Sequence, residues 1–122
     1  MTGGEPTLDF DKLIQVSNII RENTDTPIYL YTNGMLLDYS KTMNLVNLID
    51  GVNIGLHIYS YNEYTQLIKA IEINTMIPCR IHCWENKVDE HLIRTCRYYE
   101  MPLKAWKMDQ CDTVYEDSFI LE

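Results

Sequence analysis

Four short stretches of this chain alternate apolar residues with polar or aromatic ones, and helical apolar patterns lie between them. A two-residue period sends successive side chains to opposite faces of a strand. Ile28 and Leu30 alternate with Tyr29 and Tyr31, and Val52, Ile54 and Leu56 alternate with Asn53, Gly55 and His57. Cys79, Ile81 and Cys83 alternate with Arg80, His82 and Trp84, while Leu103 and Ala105 are set against Lys104 and Trp106. Strands interleaved with helices and short turns predict successive βα units on a parallel sheet. Ordinary parallel strands are covered on both faces and read as nearly continuous apolar runs. Here one face is polar or aromatic, so the pattern predicts an α/β partial barrel: about four parallel strands, helices on one face only, and a short acidic C-terminal tail. Two readings of the other face stay open. It is a ligand-lined interior or partner-binding concavity, or its groups are merely hydrogen-bonded beneath the tail.

The elements follow from caps and periodicity. Asp9 is placed to cap a helix running to about Glu22, with Phe10, Leu13, Ile14 and Ile20 on its buried stripe, and residues 23–27 break it at a proline. Ile28 to Thr32 reads as a strand and Asn33-Gly34 as a turn. Leu45, Val46, Leu48 and Ile49 predict a helix ending at Gly51, and Val52 to His57 the next strand. Tyr64, Leu67, Ile68 and Ile71 fall at i, i+3, i+4 and i+7 and predict a helix buried along that face. A strand near Ile77 to Trp84 follows, then a helix capped by Asn86 with Val88, Leu92, Cys96 and Tyr99 on its stripe. Leu103 to Lys107 supplies the fourth strand.

With 122 residues the chain is one domain, read as a βα unit over 1–108 and an acidic tail over 109–122. Eighteen acidic against ten basic residues give a formal charge of -8, which repels a phosphate backbone, so nucleic acid is not an expected partner. No apolar run approaches the roughly 20 residues of a membrane span, and the N-terminus lacks a secretory layout, so a cytoplasmic location without membrane contact is expected. The four cysteines, at 79, 83, 96 and 111, form no CxxC pair and read as reduced thiols. Cys79 and Cys83 on one strand would stand roughly 13 Å apart, too far for a disulfide or a shared metal.

Five landmarks occur in order: Thr2-Gly3-Gly4-Glu5-Pro6-Thr7-Leu8, Tyr29-Leu30-Tyr31-Thr32-Asn33-Gly34, Gly51-Val52-Asn53-Ile54-Gly55-Leu56-His57, Arg80-Ile81-His82-Cys83-Trp84, and the strand around Leu103 to Met108. Through them the sequence resembles, over nearly its whole length, the radical S-adenosylmethionine superfamily, from the Gly-Gly-Glu-Pro motif onward. The resemblance implies that Gly3, Gly4 and Glu5 receive the amino group of the cofactor's methionine portion. Glycines let a backbone approach a ligand closely, and a carboxylate accepts a charge-assisted bond from an ammonium. It also places Thr32 and Asn33 near the ribose and Gly55 where many members carry a polar cofactor contact. The plain alternatives are a turn at Gly3-Gly4, a helix-starting Glu5 and a strand-ending turn at Thr32-Asn33.

Family chemistry uses three thiolates in a CxxxCxxC loop to hold an iron–sulfur cluster. The 122 residues contain no such loop, so no iron–sulfur cluster is expected on this chain and bound S-adenosylmethionine is a candidate only. Cys79, Cys83 and Cys96 read as core residues. His57 and His82, on adjacent strands about 4.8 Å apart, are close enough to share a ligand, but with no third ligand in view they read as ordinary interior residues and no metal is expected. His91 reads as a helix-surface residue.

A barrel reduced to its later strands leaves an edge at Ile28 to Thr32 and an uncovered inner face carrying Tyr29, Tyr31, Asn53, His57, Arg80, His82, Trp84, Lys104 and Trp106. Such edges invite strand addition unless covered. The tail, a second copy of the chain or another protein would have to cover them, so a protein partner or homo-oligomer is expected. The favoured function is a cluster-less binding or interaction module, regulatory or inhibitory, without catalysis of its own. The alternative is the S-adenosylmethionine-binding half of a split or truncated radical enzyme. A third reading takes the acidic tail, with Asp109, Asp112, Glu116, Asp117 and Glu122, as a mimic of nucleic acid in a basic partner site.

Overall fold

A computed structural model of the protein describes residues 5–56, 63–106 and 113–116. Glu5 and Asp9 shape its start. The Glu5 side chain accepts from the Thr7 amide and opens one turn of 3-10 helix at Pro6–Asp9, where proline's missing N–H costs nothing. Asp9 then accepts from the Lys12 amide and caps helix α1, Phe10–Asn23, as its position predicts. Strand β1, Tyr29–Thr32, helix α2, Tyr39–Leu45, and strand β2, Gly51–Gly55, follow. Helix α3, Glu63–Asn74, strand β3, Cys79–Trp84, helix α4, Glu90–Tyr98, and strand β4, Leu103–Trp106, complete the βα series.

The strands lie in the order β1-β2-β3-β4-β5, the first four parallel. Parallel crossovers are right-handed, so a sheet wound in sequence order carries its connecting helices on one face. The core shows this. Leu30, Val52, Ile54, Cys79, Ile81, Cys83, Leu103 and Ala105 are buried, and all but Ala105 belong to one apolar cluster with Leu13, Leu45, Leu67, Ala70, Ile73, Leu92 and Cys96 from the helices. Full burial of a residue such as Leu30 or Ile81 stabilises the fold by about 2 kcal/mol. Between those positions point Tyr29, Tyr31, Asn53, Gly55, Arg80, His82, Trp84, Lys104 and Trp106, on the face without helices. The fold is the α/β partial barrel that the alternation predicts, and no helix among the described residues is long and apolar enough to cross a membrane.

Three expectations are corrected in detail. The second helix starts earlier than expected, because Asp38 caps it through the Lys41 amide at 2.8 Å. Leu45 is therefore its last residue, and Gly51 opens a strand instead of closing a helix. Helix α3 exists but turns another face inward: Gln66, Leu67, Ala70 and Ile73 are buried, while Tyr64 and Ile68 are 61% and 58% exposed. Asp89, not Asn86, caps α4, accepting from the Leu92 amide at 2.8 Å, and Asn86 lies in a single 3-10 turn before it. The acidic tail also contributes structure. Strand β5, Thr113–Glu116, pairs antiparallel with β4, Lys104 opposite Glu116 and Ala105 opposite Tyr115. Of the coverings expected of the tail, its described part takes the β4 edge, leaving β1 at the opposite end of the strand order.

Polar clamps fix the strand starts. The Arg21 Nε and Nη2 donate to the Leu48 carbonyl at 3.0 and 2.7 Å, and Nη2 also reaches Asp50 Oδ2 at 2.7 Å. The same oxygen accepts from the Ile28 amide at 2.7 Å, tying α1 to the entries of β1 and β2. These bonds from Ile28 and Arg21 hold the Asp50 carboxyl below its ordinary range.

Candidate functional site

At the C-terminal end of β1 the chain folds back on Glu5. Thr32 and Asn33 end the strand, and Gly34 makes the turn with φ of +81°, a conformation that residues with a Cβ rarely adopt. A Cβ at Gly34 would stand 3.0 Å from Ile54 Cδ1, so the turn presses on the core as well. The Thr32 hydroxyl accepts from the Gly34 amide at 3.1 Å, and Asn33 Oδ1 accepts from the Met35 amide at 2.9 Å in an Asx turn. The Asn33 amide donates to Glu5 Oε1 at 2.8 Å and the Thr32 hydroxyl to Glu5 Oε2 at 2.6 Å. Oε2 also accepts from the Thr7 amide at 3.1 Å and from the Thr7 hydroxyl.

Burial alone would raise the Glu5 carboxyl, but donors from Thr32, Thr7 and Asn33 outweigh it, and the group lies below its ordinary value. The carboxylate is thus an internal tie between residue 5 and the end of β1. Acceptor capacity left for an outside ammonium is confined to Oε1, which takes one donor among the described residues. The Thr32 hydroxyl is committed as both donor and acceptor. These groups fit their own closed network better than the cofactor contacts that the resemblance implies.

A second tie comes from α3. Gln66, fully buried, donates through Nε2 to the Asn33 carbonyl at 3.0 Å and to the Gly55 carbonyl at 2.9 Å. Both carbonyls stand where the parallel ladder ends, and buried carbonyls need donors. Gln66 carries no apolar signal and lies outside the Tyr64, Leu67, Ile68 and Ile71 stripe. A stripe anchored on Ala70 and Ile73 would have found it, since position 66 precedes them by four and seven residues.

The uncovered face carries an aromatic cluster. Register sets Gly55 beside His82, His82 beside Lys104, and Trp84 beside Trp106. Trp106 Nε1 donates to His82 Nδ1 at 3.1 Å, and the two rings stack at 25° with centroids 6.0 Å apart. An indole N–H only donates, so Nδ1 must be the unprotonated nitrogen and the imidazole proton sits on Nε2. Tyr31 meets the same imidazole edge-on, centroids 5.1 Å apart at 67°. His82 is 6% exposed, whereas Tyr31, Trp84, Lys104 and Trp106 are half-buried and Arg80 is open to solvent. This arrangement presents a preorganised aromatic surface flanked by cationic side chains, suited to stacking and packing against a partner.

The structure therefore brings Glu5, Thr32 and Asn33 together at one end of β1 and gathers Tyr31, His82, Trp84 and Trp106 in front of β2 to β4. Gly55 touches the first group through Gln66, while Tyr29, Asn53 and Arg80 lie nearer the strand starts. Gly3, Gly4 and His57 lie outside the described residues. Among the described residues no three His, Cys, Asp or Glu side chains are grouped to hold a metal. His91 is exposed on α4, with its ring 5.6 Å from that of Tyr64. Compared with family models, curated proteins and solved structures, the chain matches none.

Proposed function

We propose that this chain is a binding and interaction module, a cluster-less relative of the later part of a radical S-adenosylmethionine barrel, which regulates or inhibits a protein partner received on its uncovered sheet face. The observation that carries the reading is the closed Glu5 network. The carboxylate that the resemblance assigns to a cofactor ammonium is spent on Thr7, Thr32 and Asn33, while the aromatic surface around His82 remains partly open. The absence of a CxxxCxxC from these 122 residues means that a cluster would have to come from another segment or chain. The partner is a protein, a second copy included. An acidic chain of charge -8 disfavours a nucleic acid, and a half-buried aromatic face flanked by Arg80 and Lys104 suits a protein surface with carboxylates at its rim.

The second reading is the S-adenosylmethionine-binding half of a split radical enzyme, favoured by the remaining acceptor direction on Glu5 Oε1. Two measurements separate them. Calorimetry with S-adenosylmethionine is expected to register no binding to the chain, and light scattering is expected to register association that Tyr31→Ala combined with Trp106→Ala abolishes. Tight S-adenosylmethionine binding lost in Glu5→Gln, with cleavage once a cluster-bearing segment is supplied, would overturn the first reading. A monomer at every concentration, forming no complex, would also count against it.

A further inference from the structure

At the opposite end of the uncovered face, beside the strand starts, lies a cleft of about 380 Å³ lined by residues including Tyr29, Asn53, Pro78, Arg80, Glu100 and Pro102. Its volume is that of a small-molecule site. Asn53 is the unusual member. The residue is 5% exposed, yet its side-chain amide is not among the enclosed groups without a partner, and no bond to a described residue takes it up, so its polar atoms keep an opening to the cleft. Arg80 is its register neighbour on β3, about 4.8 Å away across the ladder. It too has no ion pair or hydrogen bond among the described residues, and its guanidinium is open to the cleft. A β-sheet that places a cleft-facing amide beside an uncommitted guanidinium offers a planar fork plus one further donor, the complement of a carboxylate.

The rest of the lining decides what the carboxylate is attached to. The Tyr29 ring lies over Gly51, where a Cβ would come within 2.8 Å of it, so the ring forms a broad wall that only glycine permits. Pro78 and Pro102 add apolar surface. The acidic neighbours limit the ligand's charge. Asp50 is occupied by Arg21 and the Ile28 amide, and Glu100 sits exposed at the rim, so two carboxylates would repel a dianion about twice as strongly as a monoanion.

We infer that this cleft binds a small organic monocarboxylate, its carboxylate held by Arg80 and Asn53 and its apolar body resting against Tyr29, Pro78 and Pro102. The site lies at the strand starts, away from the Glu5 network and the His82 rings; it shares Arg80 with the rim of the proposed partner face, but benzoate binding is tested without any partner. Nuclear magnetic resonance titration of the full chain with benzoate tests it, with inorganic phosphate and benzylamine as comparison probes. Benzoate is expected to give saturable shifts at the Tyr29, Asn53 and Arg80 amides. Arg80→Gln, a solvent-exposed change that leaves the core intact, should weaken benzoate by about tenfold, the loss of one charge-assisted contact. Asn53→Leu should weaken it as well, while phosphate and benzylamine leave the three amides unmoved. Absence of saturable shifts, equal benzoate affinity in wild type and Arg80→Gln, or phosphate bound as tightly as benzoate would each overturn the assignment.

Discussion

Gln66 is the position where one side chain holds two strand ends, and Gln66→Met isolates that contribution. Methionine keeps the length and fills the fully buried space but carries no N–H. The Asn33 carbonyl, buried and bonded at 3.0 Å, would lose this donor, and a buried acceptor left unsatisfied costs about 1–3 kcal/mol. The Gly55 carbonyl, bonded at 2.9 Å but only partly buried, can recover water and costs about 1 kcal/mol. Methionine desolvates more easily than an amide and offsets part of this, leaving a net destabilisation of about 2–3 kcal/mol. For a chain of this length that lowers the melting temperature by roughly 10 °C. Urea unfolding followed by circular dichroism and tryptophan fluorescence should show a lower midpoint with an unchanged slope. Hydrogen exchange should quicken at the Asn33 amide, because its anchor to Glu5 depends on the strand end staying in place. A change within about 0.5 kcal/mol would refute the argument, since it would mean that these carbonyls are satisfied without Gln66.

Gly34→Ala should cost about 1–2 kcal/mol from the left-handed backbone alone, and more from the 3.0 Å approach to Ile54, read as a lower urea midpoint. The Glu5 carboxyl lies below its ordinary value of 4.5 in the folded chain, so its stabilisation is present above that pH and is lost as pH falls through the folded value. Glu5→Gln should therefore flatten the acid limb of a stability-versus-pH curve and lower stability at neutral pH. Burial pushes the Cys79 thiol up to about 12 from 9.0, so its contribution is complete below pH 9.0 and is lost as pH rises towards 12. Alkylation of the native protein at mildly alkaline pH, mapped by mass spectrometry, should spare Cys79 and modify it once urea unfolds the chain.

The strand faces were legible because a period of two leaves no choice of side. Once Leu30 or Ile81 points inward, Tyr31 and His82 must point outward, and the structure agrees at each described position. Helix faces were less legible. Along α3 the apolar residues Tyr64, Leu67, Ile68 and Ile71 form one acceptable stripe and Leu67, Ala70 and Ile73 another, about a residue apart around the helix. The choice depended on which groups needed a donor at the strand ends, and that need is a tertiary fact invisible in the helix's own residues. Asp38 likewise outweighed the apolar run at Leu45 to Ile49, because a cap three residues before Lys41 supplies a bond that hydrophobicity does not encode. The Glu5 network was half legible. Its members belong to landmarks that the sequence displays, but bonds spanning 27 and 28 residues are set by how the first turn returns to β1.

Gly55 lies between the strand-end ties and the aromatic cluster. The resemblance implies a polar contact at this position that a glycine cannot make; its register partner is His82, whereas Tyr31 pairs with Asn53, two residues earlier on β2. Strands β1 and β3 are two ladder spacings apart, about 9.6 Å, whereas the Tyr31 and His82 ring centroids are 5.1 Å apart. The rings reach each other only by leaning diagonally across the front of β2, between the positions of Asn53 and Gly55. At the back of the strand, the Gly55 carbonyl is taken by Gln66. Its carbonyl is committed to this chain's own Gln66 and its neighbour across the ladder is the stacked His82, which favours an aromatic binding surface supported by α3 over a cavity kept for a nucleoside.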